Sequence, residues 1–173
     1  MKAIKNVIAV ILIFSAIGVS AQNLKIGHIN TSELLTTLPE VEAAKESLQT
    51  YQKELEAQVD VLVTEYRKKI ETYEQMAANW TNAVKKDKET EIVQLEERIK
   101  VFQEEATNEL SEKEKELLQP ILDRVKAAVE EVAKEKNYDY ILDTSAGSVL
   151  FSKDSDDITP LVKKKLGLET SNK

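Results

Sequence analysis

Cysteine is missing altogether from these 173 residues, so no disulfide braces the fold and no thiolate serves as nucleophile or metal ligand. Glycine occurs four times and proline three times. Eighty residues between Pro39 and Pro120 contain neither, which excludes a compact domain of short elements joined by tight turns over that stretch. Three Phe, five Tyr and one Trp are few rings for a single compact core. There is no glycine-rich phosphate loop, no Cys/His metal pattern, and no Ser that the lone histidine, His28, is placed to activate. No catalytic residue, metal site or cofactor is therefore assigned. On strand alternation His28 shares a face with Leu24 and Ile26 and reads as a hydrogen-bonded structural residue. The acidic clusters Glu104-Glu105 and Glu112 to Glu116 stand among lysines at helical spacing. They read as solvated faces, because calcium loops need a glycine turn and Asx ligands.

What is present begins with a leader. Met1 to Lys5 carries two lysines, Val7 to Val19 is almost wholly apolar, and Val19-Ser20-Ala21 places small residues before a cut. This is the pattern of a secretory signal peptide, residues 1–21, cleaved after Ala21. The apolar run falls short of the ~20 residues that span a bilayer. Residues 22–173 then hold 22 basic and 31 acidic side chains, a net charge of −9. The excess lies in residues 40–119, with 12 basic against 20 acidic. Such a segment repels a polyanion, so nucleic acid is not an expected partner.

The glycine-free stretch has the spacing of two amphipathic helices. Leu48, Leu55, Val59, Leu62, Tyr66, Tyr73, Met76 and Trp80 follow alternating steps of three and four, with Gln52 and Lys69 in the two vacant seam positions. Ile92, Leu95, Ile99, Phe102 and Ala106 keep that rhythm; it slips through Leu110 and Leu117 and resumes at Ile121, Val125, Ala128 and Val132. The weak point between the runs is Asn79-Trp80-Thr81-Asn82, three poor helix formers around a tryptophan. A turn there lets the seams zip as an antiparallel coiled-coil hairpin, an arm over 40–119 with its tip near 79–84. Pro39 and Pro120 fall almost opposite each other and mark its base, Pro39 in a first turn and Pro120 as a kink. One continuous helix in an extended coiled coil is the alternative that the Asn-rich break argues against.

The flanks differ in texture. Leu24 to Asn30 reads as a strand, and Thr31 or Ser32 with Glu33 as the cap of a short helix ending before Pro39. Tyr138 to Thr144 and Ser148 to Ser152 read as strands joined in a hairpin by Ser145-Ala146-Gly147. Thr159-Pro160 starts a final helix over Leu161 to Leu166 that Gly167 closes. The fold class is thus α+β and predominantly α, the arm standing on a small β-containing body formed by 22–39 and 120–173. Three short strands bury little and leave open edges, so an obligate oligomer is expected. Ile26, Ile29, Tyr140, Ile141, Leu142, Val149 and Phe151 are its expected contact residues. At the tip, Lys85, Lys86 and Lys88 against Asp87 reverse the sign of the arm. Contact of this patch with phosphate headgroups or an acidic polypeptide is weighed against a solvated turn whose Trp80 packs on Met76 or Val84, and the solvated turn is favoured.

The segment order, with Leu24-Lys-Ile-Gly-His-Ile-Asn30, Leu38-Pro39-Glu40, the charged helical hairpin, Tyr138-Asp-Tyr-Ile-Leu-Asp143 and Asp157-Ile158-Thr159, resembles the Skp/OmpH family of periplasmic chaperones. The end segments carry the specificity, since any coiled coil imitates the arm. The resemblance implies a homotrimer with a central β-body, three arms around a cavity, and ATP-independent holding of unfolded outer-membrane β-barrel proteins in the periplasm. Clients would meet apolar groups off the seam, Val61, Val63, Ile70 and Val93, with Met76 and Trp80 near the tip. The best-known relatives are strongly basic, whereas this chain is acidic, leaving Lys85, Lys86 and Lys88 as the candidate for any weak membrane or lipopolysaccharide contact. The rival from another class is a coiled-coil spacer or adaptor of the cell envelope that binds one folded partner.

Overall fold

The computed structural model describes residues 24–168, so the expected leader, residues 1–21, lies outside the described residues. Strand β1 (Ile26–Ile29) leads into helix α1 (Thr31–Thr36). The cap of α1 is Asn30, one residue before the expected Thr31 or Ser32: its backbone is extended and its carboxamide oxygen accepts the Glu33 N–H at 3.0 Å. Helix α2 (Pro39–Met76) starts on Pro39, whose missing N–H costs nothing in a first turn, and carries Glu40 and Glu42 at its positive end.

A single 3-10 turn, Ala77–Asn79, ends the outward limb. Trp80 and Thr81 are extended, and the Thr81 hydroxyl accepts the Val84 N–H at 3.4 Å to start helix α3 (Asn82–Lys136). At 1.5 Å per residue α2 is roughly 57 Å long and α3 roughly 82 Å, so the returning limb overshoots the base of the outgoing one. Helix α3 runs on through Pro120, which removes one ladder donor without ending the helix. It stops at Asn137 in the left-handed region (φ 52°), where the N–H groups of Asn137 and Tyr138 close on the carbonyls of Lys134 and Ala133.

Strand β2 (Tyr140–Asp143) lies parallel to β1 in the register Ile26 with Tyr140 through Ile29 with Asp143. The expected hairpin is corrected here. Among the described residues Ser148 to Ser152 forms no strand, and the other edge of β1 meets only a single bridge between His28 and Asp157. Strand β2 pairs on one edge with β1 and its other edge stays open among the described residues, while Leu150 and Phe151, 97% and 83% exposed, join no part of the buried core that would hold them against it. A 3-10 turn (Asp154–Asp156) and helix α4 (Thr159–Lys165) complete the described chain.

The core sits where the overshoot of α3 meets the ends of the chain. Ile121, Val125, Ala128 and Val132 recur along one face of α3 and are buried against Ile29, Leu34, Leu38, Val41, Ala44, Ile158 and Val162. Ion pairs from Lys165 to Glu131 and Glu135 pin α4 to the same helix. Within this core Gly27 is required by space: a Cβ there would stand 2.9 Å from Ile158 Cγ2 and 3.0 Å from Tyr138 Cε1. Ile158 is fully buried and cannot yield. Gly27→Ala is therefore expected to destabilise the body by about 1–3 kcal/mol, the usual cost of overpacking. Thermal unfolding by circular dichroism checks this, and an unchanged Tm would contradict the packing described.

Candidate functional site

Two surfaces remain once the core is accounted for. The first is the outer face of the strand pair. Alternation sends Ile29 and Ile141 inward, where Ile29 is 1% exposed and Ile141 packs against the same core. Neither is offered to another chain as fully as expected. Ile26, His28, Tyr140 and Leu142 lie side by side on the opposite face, and Ile26, Tyr140 and Leu142 are exposed. A depression of about 260 Å³ on this face is lined by Ile26, Leu142, Val149 and Phe151. His28 donates from Nε2 to the Lys153 carbonyl oxygen at 2.9 Å, tying the irregular segment to the strand. Asp143 holds the end of β2 to the start of α1, accepting from the Thr31 hydroxyl at 2.5 Å and the Ser145 N–H at 2.8 Å. Its carboxyl is desolvated there, but those hydrogen bonds outweigh burial and lower its pKa.

The second surface is the arm. Polar pairs cross from limb to limb in antiparallel order: Glu40 with Arg124 at 2.7 Å, Tyr51 with Glu109 at 2.8 Å, Lys69 with Glu91 at 2.7 Å, and Tyr73 with Glu89. Lys69, which occupies a vacant place in the apolar seam, thus finds its counter-charge on the other limb. Arg124 lowers the pKa of Glu40, while Glu109 and Glu89 raise those of the Tyr51 and Tyr73 hydroxyls. Glu91 is held down to about 2, first by hydrogen bonding from Lys69 and then from Lys88.

Beyond the Tyr51–Glu109 crossing, toward the tip, the arm buries only Leu55, Leu62 and Leu95. Val61 and Val93 are exposed, at 68% and 62%, as is Met76; Val63 and Ile70 are half-buried. Val84, Val101 and Leu122 are exposed as well, and the seam count passed over them because they lie off its repeat. Trp80 is half-buried and meets Tyr73 edge-to-face with ring centroids 5.8 Å apart, a contact absent from the expectation that it packs on Met76 or Val84. Of the three tip lysines Lys88 is committed to Glu91 at 2.5 Å, Lys85 is half-buried and Lys86 is exposed. Among the described residues no group of three or more His, Asp or Glu is placed to hold a metal, and no helix is long and apolar enough to cross a membrane.

The family described as "Outer membrane protein (OmpH-like)" matches residues 25–166. A chaperone protein Skp of Vibrio cholerae is 27% identical over 122 residues, covering 70% of this chain and 72% of that one. The crystal structure of an OmpH-like outer membrane chaperone of Caulobacter crescentus superposes with a TM-score of 0.72 at 12% identity, over 85% of this chain and 86% of the other. The latter shows a shared fold.

The Glu91 clasp gives the arm a defined acid response. A carboxyl whose folded pKa is depressed contributes stability above its unfolded pKa, and that contribution is lost as pH falls from about 4.5 through about 2. Glu91→Gln removes the titrating group. Its arm is expected to melt lower than wild type at pH 7 and to converge with wild type near pH 2, read by circular dichroism across that range. A constant difference in Tm at all pH values would contradict the clasp.

Proposed function

This chain belongs to the OmpH-like family, and from that membership we propose that it is an ATP-independent holdase that keeps unfolded outer-membrane β-barrel proteins from aggregating in the periplasm. The observation that carries the reading is the arm: two limbs joined largely by polar crossings, with aliphatic side chains left uncovered along its length. An unfolded barrel protein exposes alternating apolar residues. Many weak contacts on several arms hold such a chain by avidity, without any one tight site. No nucleotide is needed, because the client leaves by folding elsewhere. The names of the matched relatives, a chaperone Skp and an OmpH-like outer membrane chaperone, support the same reading.

Assembly as a homotrimer through the body completes the proposal. Ile26, Tyr140, Leu142, Val149 and Phe151 form the face that sister subunits would cover, and the arms then project around a common cavity. Lys86 and Lys85 are the tip residues left for a weak contact with membrane or lipopolysaccharide, Lys88 being paired.

The purified chain is expected to suppress aggregation of a barrel protein diluted from urea at about one trimer per client, and no suppression at any salt concentration would contradict the reading. Phe151→Asp buries an unpaired charge in the proposed contact. It is expected to convert the trimer to a monomer in light scattering while helix content stays. A variant that remains trimeric places the contact elsewhere.

A further inference from the structure

The arm carries a groove that the polar crossings leave open. At the level where the seam holds Gln52 on α2 and the small Ala106 on α3, the limbs fail to fill the space between them, leaving a depression of about 350 Å³. Its floor is Leu55, Val59, Ala106 and Leu110, and its rim carries Glu56 and Asp60, one helical turn apart on α2. Gln52 donates to one Glu56 oxygen at 2.7 Å. The Asp60 carboxylate makes no hydrogen bond or ion pair with any described residue, and it is exposed.

The surroundings decide what fits. Residues 46–65 and 96–116, which face each other at this level, hold thirteen acidic and five basic side chains. Residues 66–95, toward the tip, hold five acidic and six basic. The negative charge of the arm is therefore a band about its middle, and the groove opens within it. A second acidic arm would be repelled from such a band, and so would an anionic segment. We propose that the groove docks a cationic, apolar stretch of unfolded polypeptide, one aliphatic side chain on the Leu55, Val59, Ala106 and Leu110 floor and a neighbouring Lys or Arg against Asp60 and Glu56. The assignment rests on the holdase reading and narrows its client class.

Fluorescence anisotropy of the full chain with two dye-labelled peptides tests it. Each is about a dozen residues long with the same aliphatic content, one flanked by lysines and the other by glutamates. The lysine peptide is expected to bind about tenfold more tightly at low salt, the advantage shrinking toward 1 M salt as the Debye length falls to about 3 Å. Glu56→Gln with Asp60→Asn, both at exposed positions, is expected to remove most of that preference. Ala106→Leu fills the floor and is expected to weaken both peptides several-fold. Equal binding of the two peptides, a preference that survives the double substitution, or a change in oligomer mass in place of peptide binding would each overturn the assignment. Aggregation suppression in the same samples separates the two readings. Suppression without charge preference sinks the groove alone, and charge-selective binding without suppression sinks the holdase alone.

Discussion

Parallel pairing of β1 with β2 joins residues 114 positions apart, Ile26 beside Tyr140, and the arm exists as an arm because of it. Adjacent parallel strands require a crossover connection. Here the crossover is the entire two-limbed arm, sent out from α1 and returned by α3. Closing so long a loop costs entropy that grows only slowly with length. The overshoot of α3 offsets that cost by delivering Ile121, Val125, Ala128 and Val132 to the body core. A four-residue strand pair alone would be marginal. Packed on α3 and tied by Asp143 to Thr31 and by Asp139 to the Lys25 N–H, it becomes the clasp of the whole chain.

Away from that clasp the arm is governed by a different balance. Its apolar seam is thin, and the limbs are kept in register by Tyr51–Glu109, Lys69–Glu91 and Tyr73–Glu89. Exposed pairs of this kind contribute little each, but they penalise slippage of one limb along the other, because a shifted register leaves charges without partners. Few buried contacts also leave aliphatic groups such as Val61 and Val93 uncovered. A surface that holds unfolded chains needs such groups, and a tightly zipped coiled coil would hide them.

The helices were legible in the sequence because their apolar spacing and their punctuation agree: Pro39 starts α2, and the break falls at the poor helix formers around Trp80. Strand β1 and strand β2 were legible from β-branched and aromatic runs, though not their parallel sense, which depends on where α3 ends. Val149-Leu150-Phe151 carries the same local signal as β2 and forms no strand: propensity does not decide whether an edge is taken, and the outer edge of β2 stays open among the described residues. The inward turn of Ile29 and Ile141 followed from register, which alternation alone leaves open. Lys69 was visible as a vacancy in the seam, but Glu91 as its partner became identifiable only once the two limbs were aligned. The groove at Ala106 is likewise a property of two facing limbs, since within its own limb Ala106 keeps the rhythm of the seam.

The pairing of β1 with β2 requires the chain to fold back within one molecule. Because it has no native cysteine, spin labels can be placed uniquely at Lys53 and Thr107, both exposed and on opposite limbs, with labelled chain diluted into unlabelled. Pulsed electron resonance should then give a single short distance, about 10–25 Å for neighbouring helices plus label tethers. A distribution centred near ~80 Å, the span of an uninterrupted helix between those positions, would contradict it.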